Sequence, residues 1–196
     1  MDDDQDALSR LAQGDLAGLK TLVEHYQVRA VYAAYMILYD HELAEEVAQT
    51  AFVHVAEKIW QYDQSRPFTP WFFRIVVNEA LKVARLQRRV VALNEEPDGS
   101  IAAMADRLTD PLPLPEALLE TKEAGRVILS ALKRLTPRQR AVVVMRYYLE
   151  MSEAEISTWM DSPLSSVKWW LRSARGRLRS LLRASRLFED HGPEDR

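Results

Sequence analysis

The chain has 196 residues, of which 47% are apolar, a size and composition that suit one ordinary globular domain or two small ones. It contains no cysteine, which excludes disulfide bonds and thiolate metal sites. The first ten residues are acidic where a secretory signal is basic and then apolar, and no apolar run approaches the ~20 residues that cross a bilayer. The sequence therefore predicts a cytoplasmic protein with no membrane contact of its own.

Charge is distributed unevenly along the chain, although the net charge is only −3. Residues 1–95 carry 10 basic and 14 acidic side chains, and residues 96–124 carry 2 and 7. Residues 125–186 carry 13 basic and 4 acidic side chains, whereas residues 187–196 carry 1 and 4. A block with a net charge of +9 is typical of a segment that binds a polyanion.

The first part of the chain has the periodicity of packed helices. From Ala7 to Arg89, apolar residues recur every three or four positions with few glycines or prolines. Asp40 is expected to begin an amphipathic helix, and Pro70 stands at a natural first-turn position of the next one. We therefore expect a helical domain at residues 1–92.

The periodicity fails in an acidic segment that contains four prolines, which we interpret as a linker at residues 93–117. Helices are expected to resume at Glu116 and to form a second domain at residues 118–186. Residues 187–196 form a short acidic tail. The predicted fold class is all-α, with two small helical domains joined by an acidic proline-rich linker.

The second domain contains clear helix-start signals. Thr136 with Gln139, and Ser152 with Glu155, have the spacing of capping boxes. A tight turn follows, in which Asp161 or Ser162 is expected to cap a final helix that starts at Pro163 and runs to about residue 186. Two helices joined by such a turn, the second of them basic, form a helix-turn-helix.

The motifs in the two domains resemble those of one known family. The second domain contains "LTPRQR", "SEAEI", "SSVK" and "ARGRLR", which are similar to sigma region 4. The first contains "ELAEEVAQTAF" and "WFFRIVVN", which are similar to sigma region 2. In this order, about thirty residues apart, they resemble an extracytoplasmic-function (group IV) sigma factor of the sigma-70 family. The resemblance implies a transcription initiation factor that binds core RNA polymerase, reads the −35 and −10 promoter elements and promotes strand opening.

The resemblance implies roles for three sets of residues. Core polymerase would be bound by the acidic and amide side chains of Asp40, Glu45, Glu46 and Gln49; the alternative is a solvated acidic helix face. The −10 element would be bound and opened by Trp71, Arg74, Asn78, Lys82, Arg85, Arg88 and Arg89, although Trp71 can equally brace the domain. The −35 element would be read by Ser165, Ser166, Lys168, Trp169, Arg172, Ser173 and Arg175.

Three positions depart from the pattern of the family. Lys82 stands where this group usually has an aspartate, and Thr50 stands where an acid commonly follows the glutamine. Glu150 replaces a frequent turn glycine, so we expect that this loop does not use a positive φ there.

Two adjacent tryptophans on the recognition helix are the largest departure. At about 100° per residue, Val167, Leu171, Ala174, Leu178 and Leu181 share the buried face. Trp170 then borders the core, where we expect it to pack against the helix before the turn, near Trp159 or Met160. Trp169 points away from the core, and it can contact DNA or another protein.

Two alternatives belong to other classes of protein. A stand-alone regulator with a helix-turn-helix would bind duplex DNA tightly without polymerase. An enzyme is not expected, because the sequence has no nucleophile elbow, phosphate-binding loop or metal-ligand spacing, and its histidines, His25, His41, His54 and His191, are scattered singly. We expect no cofactor or metal.

Regulation by an anti-sigma factor that clamps both domains is compatible with the interpretation of the chain as a sigma factor. The acidic linker would either imitate RNA along the polymerase exit path or serve as a disordered tether.

Overall fold

The computed structural model describes residues 2–94 and 122–183, with side chains for 3–89 and 124–183. The chain divides into two compact units, Met1–Leu108 and Thr109–Arg196. Every regular element in the described part is helical, which confirms the all-α prediction. The predicted tail, the helix start at Glu116 and almost all of the predicted linker lie outside the described residues.

Four helices form the first unit: α1 (Asp2–Ala12), α2 (Leu16–Leu38), α3 (His41–Lys58) and α4 (Phe68–Asn94). A short 3-10 turn, Ile59–Gln61, follows α3. Helix α2 is the centre of the unit, because α1, α3 and α4 all pack against it. Its residues 30–38 are all buried, as expected for a helix enclosed by neighbours. Asp15 and Asp40 cap α2 and α3 by accepting hydrogen bonds from the backbone N–H groups of Ala17 and Leu43.

A glycine permits the close approach of α1 to α2. Gly18 is buried, and a Cβ atom at this position would lie 2.2 Å from the carbonyl oxygen of Ala7 and 2.9 Å from the backbone nitrogen of Leu11. Because both atoms belong to the backbone of α1, any larger side chain would have to push the whole helix away. The glycine therefore determines how deeply the N-terminal helix is seated.

An aromatic cluster fills the space beneath the start of α4. Phe72 is fully buried and lies 4.8 Å from Phe52 of α3 and 5.6 Å from Tyr26 of α2, measured between ring centroids. Phe68 stacks on Phe72, with their rings 13° from parallel. Pro70 is the third residue of α4, still in the first turn, where its missing N–H would have no helical partner.

A polar cluster ties the N-terminus of α1 to α2 and α4. The Asp4 carboxylate accepts hydrogen bonds from His25 Nδ1 at 2.8 Å and from the Tyr26 hydroxyl at 2.6 Å. The Tyr26 hydroxyl also lies 3.1 Å from Thr69 Oγ1 of α4, and His25 Nε2 lies 3.3 Å from Asp3. Two carboxylates facing both ring nitrogens favour the doubly protonated imidazolium, so the hydrogen bond with Asp4 raises the pKa of His25.

This cluster is expected to make the stability of the first unit depend on pH. Partial burial would raise the pKa of Asp4, but the hydrogen bonds from Tyr26 and His25 outweigh it and lower that pKa. Because its pKa is raised in the folded state, His25 stabilises the fold at pH values below the ordinary histidine pKa. This stabilisation is lost as pH rises through the raised pKa. The difference in unfolding free energy between the native chain and His25→Gln should therefore shrink as pH rises from below the ordinary histidine pKa to above the raised one. A difference that stays constant over this range in urea titrations would contradict the assignment.

The second unit contains α5 (Lys122–Lys133), α6 (Pro137–Val143), α7 (Glu153–Trp159) and α8 (Leu164–Arg183). Helix α6 continues into a π-helical turn, Val144–Tyr148, and α8 packs against α5, α6 and α7. Both predicted capping boxes are confirmed, because each hydroxyl and each N3 side chain makes its reciprocal backbone hydrogen bond.

Two turn predictions for the second unit are wrong. Glu150 does adopt a positive φ, of 56°. Backbone hydrogen bonds from Leu149 to Val144 and from Met151 to Met145 close this turn and offset the strain of a left-handed residue. At the second turn, Asp161 has a φ of 45° and α8 starts at Leu164. Pro163 therefore precedes the helix, its carbonyl accepting from Ser166 and Val167, and neither Asp161 nor Ser162 is the cap.

Candidate nucleic-acid interface

Helix α8 is held by one narrow apolar face. Val167, Leu171 and Ala174 are buried against the other helices of the second unit, as predicted, whereas Leu178 and Leu181 are only half-buried. The helical wheel places all five on one side, but burial on that side decreases from the first half of α8 to the second. The exposed surface of the first half carries Ser165, Lys168, Trp169, Arg172 and Arg175.

Two of the residues predicted to read DNA are already engaged within the unit. Gln139 Nε2 of α6 donates a hydrogen bond to Ser173 Oγ at 2.9 Å, and Ser173 is half-buried. Arg175 Nε donates to the Leu171 carbonyl at 3.3 Å, and its Nη2 lies 3.9 Å from Glu153 Oε1 of α7. Ser173 thus fastens α8 to α6, while Arg175 keeps an exposed guanidinium beside the helix-turn-helix. Gln139 itself was expected only as a cap, and no sequence pattern predicts its second role.

The paired tryptophans separate as predicted, but one has an unexpected neighbour. Trp169 is 63% exposed, which confirms that it points away from the core. Trp170 is half-buried, and the guanidinium carbon of Arg138 in α6 lies 5.2 Å from its ring centroid. This cation–π contact was not predicted from the sequence. Trp170 is therefore part of the support of α8, and Trp169 belongs to its outer surface.

Helix α4 carries a continuous basic stripe. The stripe is formed by exposed side chains at helical spacing: Arg74, Asn78, Lys82, Arg85, Arg88 and Arg89. Lys82 Nζ is 3.2 Å from Glu79 Oε2, and the other oxygen of Glu79 is 3.8 Å from His54 Nδ1 of α3. The stripe contains five cations, and Glu79 partly neutralises one of them, Lys82. The face therefore keeps a net positive charge, as a phosphate-tracking surface requires.

Trp71 lies beside this stripe and braces the domain. Its ring is half-buried, 5.2 Å from Tyr62 and 5.9 Å from Phe68 between centroids. Part of the indole still reaches the surface at the start of the basic stripe. The structure therefore gives Trp71 a packing role and leaves part of the residue exposed.

The outer surface of α3 is acidic. Glu45, Glu46 and Gln49 are exposed, whereas Asp40 uses its carboxylate to cap the helix. A shallow depression of about 430 Å³ continues this surface, lined by Glu46, Gln49, Thr50, Val53, His54 and Glu57. Trp60, which sequence analysis did not single out, is 77% exposed just beyond α3, and its indole N–H donates to the Glu57 carbonyl at 3.1 Å.

Other kinds of site find no support in the part of the chain that the structure describes. Residues 2–94 and 122–183 contain no group of three or more histidine or carboxylate side chains arranged to hold a metal ion. No helix among these residues is both long and apolar enough to cross a bilayer.

An all-helical chain with a helix-turn-helix and exposed basic faces on α4 and α8 belongs to the class of DNA-binding proteins. Comparison with known families narrows this class. The family model for sigma-70 region 2 matches residues 22–90, and the model for sigma-70 region 4 matches residues 125–178. Together they account for more than half of the chain.

Individual relatives agree with the family models. The chain is 27% identical over 177 residues to the ECF RNA polymerase sigma factor SigW of Bacillus subtilis (strain 168), covering 90% of this chain and 95% of SigW. Two solved structures share the fold. CnrH in complex with the cytosolic domain of CnrY has a TM-score of 0.58 at 21% identity, covering 93% of this chain and 98% of that one. The sigma factor RpoE in complex with the anti-sigma factor NepR, from Bartonella quintana, has a TM-score of 0.61 at 19% identity, covering 84% of this chain and 96% of that one.

The chain belongs to the sigma-70 family, in its extracytoplasmic-function group. This family consists of promoter-specific transcription initiation factors and not of known enzymes, and the chain is an initiation factor of this kind. The resemblance drawn from the sequence motifs is thereby confirmed.

Proposed function

We propose that this protein binds core RNA polymerase through α3, reads the −35 element with α8, and binds and opens the −10 element with α4. The observation that carries the proposal is the presence, in one chain, of a region 2 unit and a region 4 unit that each expose a basic helix face. The predicted domains have corresponding roles: residues 1–92 in docking and −10 opening, residues 118–186 in −35 reading, and residues 93–117 as the linker.

The −35 element would be bound in the major groove by the exposed start of α8. Lys168, Arg172 and Arg175 supply cations for phosphates and guanine edges, and Ser165 and Ser166 supply hydroxyls at the helix start. Trp169 offers an exposed apolar ring for a thymine methyl group. Ser173 contributes through its hydrogen bond with Gln139, which fixes the helix, rather than by direct contact.

The −10 element would be captured along the basic stripe of α4. Unstacking a base costs a few kcal/mol, and phosphate neutralisation together with stacking on an aromatic edge offsets that cost. Arg74 and Asn78 follow the half-buried Trp71 by three and seven positions on the same helix, and the remaining cations of the stripe continue towards the end of the helix. Lys82 is held by Glu79, so its charge is the most weakened of the set.

Core polymerase would be bound by the acidic surface of α3. Glu45, Glu46 and Gln49 offer exposed oxygens to a basic helical partner, and Asp40 contributes by fixing the start of the helix. Because the relatives CnrH and RpoE are seen with CnrY and an anti-sigma factor, we propose that an anti-sigma protein controls this chain as well. These roles place the protein in the cytoplasm, without catalytic activity of its own.

Run-off transcription with purified core polymerase tests this proposal. Adding this protein to core enzyme and fragmented genomic DNA should yield transcripts that start downstream of a shared two-part motif. The same protein without core enzyme should bind that motif only weakly in a mobility shift, because its two basic faces are small. Tight duplex binding by the free protein, without specific transcripts, would favour a stand-alone regulator and reject the initiation factor mechanism.

A further inference from the structure

A groove on the second unit has no role in the proposed function. It has a volume of about 380 Å³ and runs between the π-helical turn after α6 and the C-terminal half of α8. Its six lining residues are Tyr147, Arg175, Leu178, Arg179, Leu182 and Arg183. The groove therefore combines an apolar floor with a rim of three arginines.

The composition of this groove indicates what it binds. Tyr147 is 57% exposed, and Leu178 and Leu182 are only half-buried, so apolar surface stays in contact with water beside three positive charges. An occupant that removes this surface from water and neutralises the rim must carry apolar side chains next to carboxylates. A purely acidic or a purely apolar segment would satisfy only half of the site.

We propose that this groove is the docking site of the chain's own C-terminal segment, residues 187–196. This segment begins with Leu187 and Phe188 and continues with four acidic residues, Glu189, Asp190, Glu194 and Asp195. The apolar pair matches the floor, and the acids match the arginine rim. The segment thus carries both apolar side chains and neighbouring carboxylates, as the groove requires.

The chain connection makes this occupant easy to reach. Residue 187 follows Arg183, which lines the groove, by only four positions. The groove extends along α8 from Arg175 to Arg183, a distance of about 12 Å at 1.5 Å per residue. Ten residues span up to about 33 Å, which is enough to reverse direction and follow the groove back. A segment tethered this closely has a high effective concentration, so even a weak site would be occupied.

Docking would have a regulatory consequence that rests on the proposed function. Arg175 belongs both to the groove rim and to the surface that we assign to the −35 element. The acidic segment would therefore compete with DNA phosphates for the same cation, and it would weaken binding of the second unit to DNA until a partner displaces it. Screening by salt should weaken this competition.

Cysteine cross-linking tests the docking itself, and the native absence of cysteine makes this direct. The pair Tyr147→Cys and His191→Cys places one thiol in the groove and one on the segment, and it leaves Leu187 and Phe188 in place. The control pair is Ser180→Cys and His191→Cys: Ser180 is exposed, lies closer to residue 191 in sequence, and faces away from the groove on the helical wheel. If the segment is undocked, the control pair should form its disulfide faster. If the segment is docked, the Tyr147 pair should form its disulfide about tenfold faster than the control pair.

A variant in which the C-terminal segment has lost its acidic charges provides a second test. Changing Glu189→Gln, Asp190→Asn, Glu194→Gln and Asp195→Asn together should abolish the preference for the Tyr147 pair and tighten binding of the full chain to −35 duplex DNA severalfold at low salt. Faster cross-linking of the Ser180 pair, or a preference unchanged by neutralisation, would overturn the inference. Because cross-linking needs neither polymerase nor promoter, its failure is distinguishable from failure in the transcription assay.

Discussion

Replacing Phe72 by alanine is expected to destabilise the first unit by about 3–5 kcal/mol. Phe72 is fully buried, and its ring touches those of Tyr26, Phe52, Phe68 and Phe73, which come from three different helices. Removing it opens a cavity at the point where α2, α3 and α4 meet, and the rigid helices around it can close that cavity only in part. Since a small domain is stable by about 5–15 kcal/mol, the loss is a large fraction of the total.

Amide hydrogen exchange can localise this loss to one unit. Protection in residues 2–94 should fall about 100-fold or more in Phe72→Ala, while protection in residues 122–183 should not change. Leu86→Ala is the matched control, because Leu86 lies on the same helix and is 52% exposed. If both variants lose protection equally, or if Phe72→Ala costs less than about 1 kcal/mol in urea unfolding, the aromatic cluster is not the support of this unit.

Replacing Lys168 and Arg172 together by alanine is expected to weaken promoter binding about tenfold or more and to change its salt dependence. Both side chains are exposed on the basic flank of α8, one helical turn apart. Each phosphate contact contributes about 0.9 to the slope of log affinity against log salt. Loss of two contacts should therefore reduce the slope by about 2 if both residues bind phosphates, and by less if Arg172 reads a base.

Binding of the holoenzyme to a labelled promoter fragment, measured over a series of salt concentrations, gives this slope. Arg177→Ala is the control, because Arg177 is an exposed cation on the same helix but lies on the opposite flank of the wheel. Its removal should leave the slope nearly unchanged. Equal slopes for the double variant and the native protein would remove the basic flank of α8 from the DNA interface.

Local sequence signals were sufficient for much of this architecture. Thr136 with Gln139 and Ser152 with Glu155 form the capping boxes that their spacing predicts, since such contacts lie within one turn of a helix. The exposure of Trp169 follows in the same way, because helical periodicity alone places it opposite Val167 and Leu171. The basic face of α4 is likewise a consequence of residues at intervals of three and four.

Contacts between distant parts of the chain were not predictable in this way. The hydrogen bond that Ser173 receives from Gln139, which is 34 positions away in sequence, is one example. Trp170 lies against Arg138 of α6, a cation–π contact between two helices that helical spacing did not predict. Glu150 takes a backbone conformation that its residue type disfavours, because the hydrogen bonds of its neighbours determine the turn.

By itself, the sequence determined that this protein is all-helical, that its positive charge is concentrated in residues 125–186, and that its motifs are those of sigma regions 2 and 4. These properties depend on residue type and on spacing along a helix, which can be read without coordinates. Only the tertiary structure decided which polar side chains remain available for a partner and which, like Ser173, are used in packing. It alone also joined Tyr147 to the end of α8 as a groove, because helix packing brings together residues that no local pattern relates.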